Sequence, residues 1–318
     1  LQRLFLLLLL PLGQLFERLR RPANHGPLLV ERVLGYLAAS RDGMAENEIL
    51  EVLFADPEYK AALDQATEQA RHELPASATR IPIAIWSRLR FDLAPYLTER
   101  AAVAANGLTF YYRQVAEWVQ EHFAKSSDRS WRPHQRLADY FLNLADPGKN
   151  RRWKGESHRP FGELPFHLSR SNREELVKLL CDFRFLTEKS CRLSIFNVLA
   201  DFDLAIQCQA SDAASFELTD LMLCLHVNSN FLQRFPSLLF QQACNSLIWS
   251  PRFPTLDEGL RISAATWAHP WLRLLNPPSV AVGVRTWRVL DAGTTSSIVR
   301  IACLRKPGLP ACWIVAAA

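Results

Sequence analysis

Pro27-Leu-Leu-Val-Glu-Arg-Val-Leu-Gly-Tyr-Leu-Ala-Ala39, Trp86-Ser-Arg-Leu-Arg-Phe-Asp-Leu-Ala-Pro-Tyr-Leu97 and Gly107-Leu-Thr-Phe-Tyr-Tyr-Arg-Gln-Val-Ala-Glu-Trp-Val119 follow one another between Pro27 and Phe123, and their order sets the architecture. The first segment puts Val30, Val33, Leu34 and Leu37 on one stripe at i, i+3, i+4 and i+7, the mark of an amphipathic helix. Pro27 suits its first turn, where no backbone N–H is needed. Ser40-Arg-Asp-Gly43 reads as a turn. A second helix is expected over Glu46 to Phe54, with acidic residues early, where the helix dipole favours them. Asp56-Pro57 closes it, and Glu58 to His72 is a polar helix with little to bury. The stretch from Leu74 to Pro82 is a linker. Ile83 to Leu93 is a further helix, apolar at Ile85, Leu89 and Leu93.

Tyr96 to Glu99 and Leu108 to Tyr111 are expected to be two short strands, with Asn106-Gly107 turning between them. Gln114 to Phe123 is helical, with Val115, Trp118, Val119 and Phe123 on one side. Helix, acidic helix, strand, strand, helix is the order of a winged-helix module, assigned to residues 27–125. Residues 1–26 form an N-terminal helical segment. Its apolar run Leu4 to Leu10 is far shorter than the roughly 20 residues a membrane span requires, and a buried helix is favoured over a signal or anchor.

Lys125 to Trp131 reads as a loop, His134 to Leu144 as a helix, and Asp146 to Gly155 as a basic loop. Short helices then follow over Phe161–Leu168, Asn172–Phe183, Phe196–Ile206, Phe216–Val227 and Asn230–Ser246, with Ser171 and Glu174 placed as a capping box. Stacked helix pairs of this kind read as a solenoid-like region over 126–276. From Pro277 the period fails. Residues 277–318 are an irregular tail that is not a natural domain, or else a single β-hairpin. The fold class is therefore mainly α: a winged-helix module followed by a helical, solenoid-like region.

Forty-nine per cent of the 318 residues are hydrophobic and 22% charged, enough to bury a core and too apolar for a disordered chain. The net charge of +5 is unevenly spread. Arg41 to Leu74 carries three basic and nine acidic residues, whereas Arg129 to Pro160 carries eight basic and three acidic. A modest total with patches of both signs suits protein partners better than dedicated nucleic-acid binding. Seven cysteines lie at 181, 191, 208, 224, 244, 303 and 312, with no C-x-x-C pair. That excludes a metal knuckle and a disulfide framework and points to free thiols in a reducing, cytoplasmic setting. The chain opens on Leu1 rather than Met, so a piece of a longer protein is expected.

Asn24-His-Gly-Pro-Leu-Leu-Val-Glu-Arg-Val-Leu-Gly-Tyr-Leu-Ala-Ala-Ser-Arg-Asp-Gly-Met-Ala-Glu-Asn-Glu-Ile-Leu50 resembles the winged-helix segment that follows the nucleotide-binding module of STAND proteins, specifically the NACHT- or AAA-type NTPases with C-terminal WD repeats. Trp86-Ser-Arg-Leu, Phe110-Tyr-Tyr-Arg-Gln, His134-Gln-Arg-Leu-Ala-Asp-Tyr-Phe and Glu163-Leu-Pro-Phe-His-Leu continue the resemblance in order, so that it covers roughly Phe16 to Leu275. It implies a switch protein. A nucleotide-binding module holds ADP or ATP, the winged helix and helical region keep it closed, and WD repeats sense a partner. Three departures matter. The only Gly-Lys pair, Gly148-Lys149, has Asn143 where a phosphate-cradling loop needs its first glycine. Ala45 stands where a side-chain cap would open the second helix, an expected cost of about 1 kcal/mol. No Trp-Asp repeat pair is present, and Arg288-Val-Leu-Asp-Ala-Gly is a faint echo of one at best.

The expected role is therefore a non-catalytic regulatory or interaction region of a STAND-type signalling NTPase. Its partners would be the upstream NTPase module and downstream repeat domain of the same protein, with a homo-oligomer as a further option. The chain itself is expected to hold no cofactor and to catalyse nothing, since no nucleophile elbow, catalytic triad order or paired-carboxylate motif stands out. ATP or ADP is implied only for the upstream module. The alternative is a stand-alone winged-helix DNA-binding regulator. Against it stand Glu46, Glu48 and Glu51 on the helix that would enter the groove. His134 is the candidate nucleotide contact, against a helix N-terminal histidine that merely caps or pairs. Lys149, Arg151, Arg152, Trp153 and Lys154 are the candidate nucleic-acid or partner patch, against a solvated loop. Glu163 and His167 with His158 are weighed as metal ligands and set aside, because no H-E-x-x-H spacing exists and the set lacks a second carboxylate three or four residues on.

Overall fold

The computed structural model describes residues 12–70, 78–101, 106–124, 132–208, 213–247, 254–267, 270–273, 300–305 and 312–317. The fold is mainly α, as the periodicities require. A helix over 12–20 (α1) sets Phe16 and Leu19 into the core. The helix at the centre is α2, Pro27–Ala39. Val30, Val33, Leu34 and Tyr36 are wholly inaccessible, so both its stripe and its flanks are covered. Arg32, on the same helix, is also buried, and its Nε lies 3.2 Å from the buried carboxylate of Asp56.

The next helix, α3 (Glu46–Ala55), opens without a side-chain acceptor at Ala45. Instead the Glu48 carboxylate reaches back and accepts the Ala45 N–H at 2.9 Å, which is half of a capping box. The lost cap is therefore partly offset from within the first turn. Asp56 does more than close this helix. Its Oδ1 accepts the N–H groups of Glu58 and Tyr59, both at 3.1 Å, and so opens α4 (Pro57–Ala70) directly. Beyond residues 71–77, part of the expected linker and outside the described residues, α5 spans Ile83–Leu93 and buries Trp86, Leu89 and Leu93.

Strands β1 (Leu97–Ala101) and β2 (Asn106–Phe110) pair antiparallel with Leu97 opposite Phe110. The free edge of β2 is met by Met44 in the turn before α3. Met44 N–H donates to the Leu108 carbonyl at 3.0 Å, and Leu108 N–H returns to Met44 at 2.7 Å. Two glycines permit this approach. Gly43 has φ +80°, and a Cβ on Gly107 would lie 2.8 Å from the Asp42 carbonyl oxygen. The next helix, α6 (Arg113–Val119), continues into a π turn, Gln120–Ala124. That turn brings Phe123 to 6.2 Å from Phe16, while Trp118 lies tilted against the same ring with centroids 4.8 Å apart. The aromatic residues of this stretch divide. Phe110 and Phe123 are core, whereas Tyr111 and Tyr112 face solvent.

Downstream lie α7 (Pro133–Ala145), α8 (Arg159–Ser171), α9 (Arg173–Leu180), α10 (Phe183–Arg192), α11 (Ile195–Gln207), α12 (Ala213–Val227), α13 (Ser229–Arg234), α14 (Leu239–Leu247) and α15 (Pro254–Thr266). Three expected boundaries change. Ser171 ends α8, and it is Asn172 that caps α9, accepting the Glu175 N–H at 3.2 Å. Asp182 ends the expected helix to Phe183 and caps a helix the sequence reading passed over, α10. Pro236 splits the expected Asn230–Ser246 helix in two, because its ring removes a donor and clashes with the preceding turn. Neighbouring helices stack, and the stack closes on itself. The contacts of α11 reach back to α8, and those of α14 reach back to α10. Trp267 and Trp271 lie 4.4 and 5.1 Å from the Phe240 ring, so both belong to the core edge; Trp249 lies outside the described residues.

Crucially for the site, α7 packs against both α2 and α3 as well as α8. Residues 1–282 form one compact unit, and 283–318 form another. Within the second unit β3 (Arg300–Arg305) pairs antiparallel with β4 (Cys312–Ala317), the hairpin alternative for the tail. Among the described residues no helix is long and apolar enough to cross a membrane. The run Leu4 to Leu10 and the loop Lys125 to Trp131 lie outside the described residues.

Candidate functional site

Polar chemistry concentrates where α3, α7 and α8 meet. Arg159, Glu163 and His167 are spaced i, i+4 and i+8, which puts all three on one face of α8. All three are buried. The Arg159 guanidinium lies 2.6 Å from Glu48 on α3, 4.0 Å from Glu163, and donates to the Gly43 carbonyl in the turn before α3. One cation therefore holds two carboxylates and a carbonyl from both halves of the unit. Burial raises the Glu48 pKa, and the Arg159 charge beside it pulls the other way. Nearby, Tyr140 on α7 donates to Glu51 on α3 at 2.7 Å, and burial lifts its phenol above its ordinary value.

His134, near the N-terminus of α7, faces this group. Its Nδ1 is 3.1 Å from Nδ1 of His167, whose Nε2 lies 3.6 Å from Glu163, an electrostatic contact too long for a hydrogen bond. Two imidazole nitrogens at 3.1 Å need one donor and one acceptor, so the pair holds only while at least one ring is neutral. Desolvation, then the neighbouring His167 and Arg170, pushes the His134 pKa down to about 3. Desolvation lowers that of His167 as well, against the pull of Glu163. His134 is thus a paired histidine of the α7–α8 contact.

The basic loop stands at the opposite end of α7, so the structure does not bring it to His134. Lys149, Arg151 and Trp153 all have positive φ, 49°, 56° and 53°, an alternation unusual for residues other than glycine. The buried Asp146 carboxylate anchors the loop by accepting the Arg151 N–H at 2.6 Å. Alternation turns Trp153 inward. Its Nε1 donates to Asp182 at 3.0 Å, and its ring meets Phe185 at 5.0 Å. Trp153 is 3% exposed, so the loop shows solvent its cations but no stacking ring. Lys154 pairs with Glu188 at 3.0 Å. Beside the loop, α7, α8 and α9 enclose a cleft of about 470 Å³ with an apolar floor of Ala138, Leu142, Leu164, Leu168 and Leu179. Among the described residues no three His, Cys, Asp or Glu side chains are placed to hold a metal ion, and His158 points away from His167 to the Arg192 carbonyl.

Comparison with known proteins now bears on this geometry. The chain is 30% identical over 301 residues to human "NACHT domain- and WD repeat-containing protein 1", covering 83% of this chain. The chain is a homologue of the NACHT- and WD-repeat-containing proteins. The mouse protein of the same name is 28% identical over 232 residues, and human "NACHT and WD repeat domain-containing protein 2" is 29% identical over 138 residues. Against these NACHT and WD repeat proteins the chain is short, spanning 19% of the first, 14% of the second and 8% of the third. No family profile and no solved structure matches it.

The sequence reading chose His134 in this homologue but missed Arg159 as the group that joins α8 to α3. The signal was present as the i, i+4, i+8 spacing from Arg159 to His167. It was hidden because its partners Gly43 and Glu48 lie more than a hundred residues earlier in the chain.

Proposed function

We propose that this chain is a non-catalytic regulatory region of a STAND-type signalling NTPase, one that holds or relays the state of a nucleotide-binding module. The observation that carries the reading is the likeness to NACHT and WD repeat proteins across 83% of this chain but only 19% of the human relative. On this reading residues 27–125 are a winged helix, with Met44, β1 and β2 as its small sheet. ADP or ATP belongs to the nucleotide-binding module, and His134 is the residue offered toward it. His134 Nε2 makes no hydrogen bond among the described residues, since the pairing to His167 runs through Nδ1. The alternative, a DNA-binding winged helix, is disfavoured by what α3 already holds. Glu46 accepts from Trp86 and pairs with Arg90, Glu48 pairs with Arg159, and Glu51 accepts from Tyr140. A helix engaged along that acidic face is not presented to a phosphate backbone.

The test uses the whole chain together with the NACHT module of the human relative loaded with a fluorescent ADP. Addition of the chain is expected to slow ADP release, and H134A is expected to relieve the slowing. Release unchanged at every chain concentration, or ATP turnover by the chain alone, would sink the reading.

A further inference from the structure

Two arginines from distant parts of the chain converge on one ring. Arg41 lies in the turn between α2 and α3, and its Cζ is 5.6 Å from the centroid of Phe166 on α8. Arg170, one turn further along α8, has its Cζ 3.8 Å from the same centroid. Both side chains are exposed. Neither has an ion-pair partner among the described residues, whereas the buried Arg32 and Arg159 are both paired. Asp201 is bonded to Lys189, and Asp42, next to Arg41 in sequence, pairs with neither guanidinium. Arg170 spends one nitrogen, Nη1, on the Phe166 carbonyl at 3.4 Å and on Ser169 Oγ at 3.2 Å, which leaves its other edge open. Behind them stands the neutral imidazole of His134, its centroid 6.1 Å from that of Phe166.

Like charges brought to one aromatic ring repel. The cation–π attraction of the ring offsets only part of that at an exposed site. Burial lowers the Arg170 pKa most, Cys208 nearby pulls the other way, and the Arg41 charge adds to the lowering, so the two cations feel each other. What the cluster lacks is an anion. Two guanidinium forks, each presenting paired donors to oxygen, match a tetrahedral oxyanion bearing two charges better than a single carboxylate, which one arginine suffices to hold.

We propose that Arg41, Arg170 and the Phe166 ring form a binding site for a phosphate-class dianion, free or as the terminus of a small phosphomonoester. Because Arg41 comes from the turn before α3 and Arg170 from α8, a bound dianion clamps the two halves of the unit across the same seam that Arg159 spans. The site stands or falls independently of the regulatory reading, since it needs no nucleotide-binding module.

Titration of the whole chain with inorganic phosphate at constant ionic strength, followed by calorimetry, tests it. Saturable binding is expected, with acetate at least tenfold weaker. R41Q and R170Q are each expected to lose at least tenfold in affinity, while R152Q, on the basic loop, keeps it. F166L removes the platform but no charge and is expected to weaken binding by a smaller factor. Thermal unfolding of each variant without phosphate separates loss of the site from loss of the fold. A parallel titration with O-phosphoserine distinguishes the free ion from a monoester by which binds more tightly. Absence of saturable phosphate binding in the wild-type chain, or equal losses in R152Q and R41Q among folded variants, would overturn the proposal.

Discussion

His134 and His167 share a proton-sensitive contact whose sign is fixed by burial. Both folded-state pKa values lie below the ordinary histidine value of 6.5, that of His134 at about 3. The unfolded chain therefore takes up protons on these rings below pH 6.5 while the folded chain does not. Stability contributed by the neutral pair is present above pH 6.5 and is lost as pH falls toward 3. Between pH 6.5 and 5, above the range of most carboxylates, wild-type stability is expected to fall by up to about 1.4 kcal/mol per pH unit for each such histidine. In H134N the slope in that window should drop by roughly one proton. Denaturant titrations at a series of pH values measure it, and an unchanged slope would show that His134 titrates normally in the folded chain.

At the scale of elements, the β1–β2 hairpin and the turn before α3 are joined by a backbone bridge between Met44 and Leu108. A methyl group on Gly107 would meet the Asp42 carbonyl oxygen at 2.8 Å and the Gly43 backbone at 3.1 Å, and neither is a flexible side-chain tip that could move aside. G107A should destabilise the fold by about 2–4 kcal/mol through strain of this kind. It should also speed amide exchange at Met44 and Leu108, whose N–H groups make the bridge. Exchange as slow as in the wild-type chain would mean that the turn accommodates the methyl. Asn106-Gly107, read from the sequence as the turn between the strands, instead opens β2 opposite Ala101 and Arg100, because the pairing runs past that dipeptide. The strands, the helices α2, α3 and α5, and the turn at Gly43 were legible in sequence because their signals are local: period and alternation. The cap at Asn172 and the helix α10 were not, because Ser171 and Asn172 cap equally well on local grounds. Only the length of α8, set by its packing on α7, chooses between them.

For the whole unit, Arg159 is the seam. Removing it leaves Glu48 and Glu163 buried without their cation, which costs about 3–5 kcal/mol when one partner of a buried pair is deleted. R159A is therefore expected to lower the urea midpoint strongly, and E48Q/R159M, which removes a charge of each sign, to restore part of the loss. Hydrogen exchange adds the spatial reading. In the wild-type chain the core amides of α3 and α8 should open with the same free energy, as one cooperative unit, and in R159A they should separate. Equal opening energies in R159A would mean that apolar packing of α7 on α2 and α3 joins the halves without the ion cluster.

Composition and period alone determined the mainly helical class and the order of helices and strands from Pro27 to Phe123, and the residues of five ordered motifs carried the resemblance to NACHT and WD repeat proteins. Each of these depends on residues close in sequence, where spacing is geometry. The tertiary structure alone decided what those residues touch. Trp153, read as an exposed ring in a basic patch, turns inward because alternate positive φ values at Lys149, Arg151 and Trp153 aim its indole at Asp182. Arg159 finds Gly43 and Glu48, and Arg41 finds Phe166, across separations that no local period encodes. The physical reason is that a buried or shared charge is defined by its partner, and partners distant in the chain meet only when the helices pack.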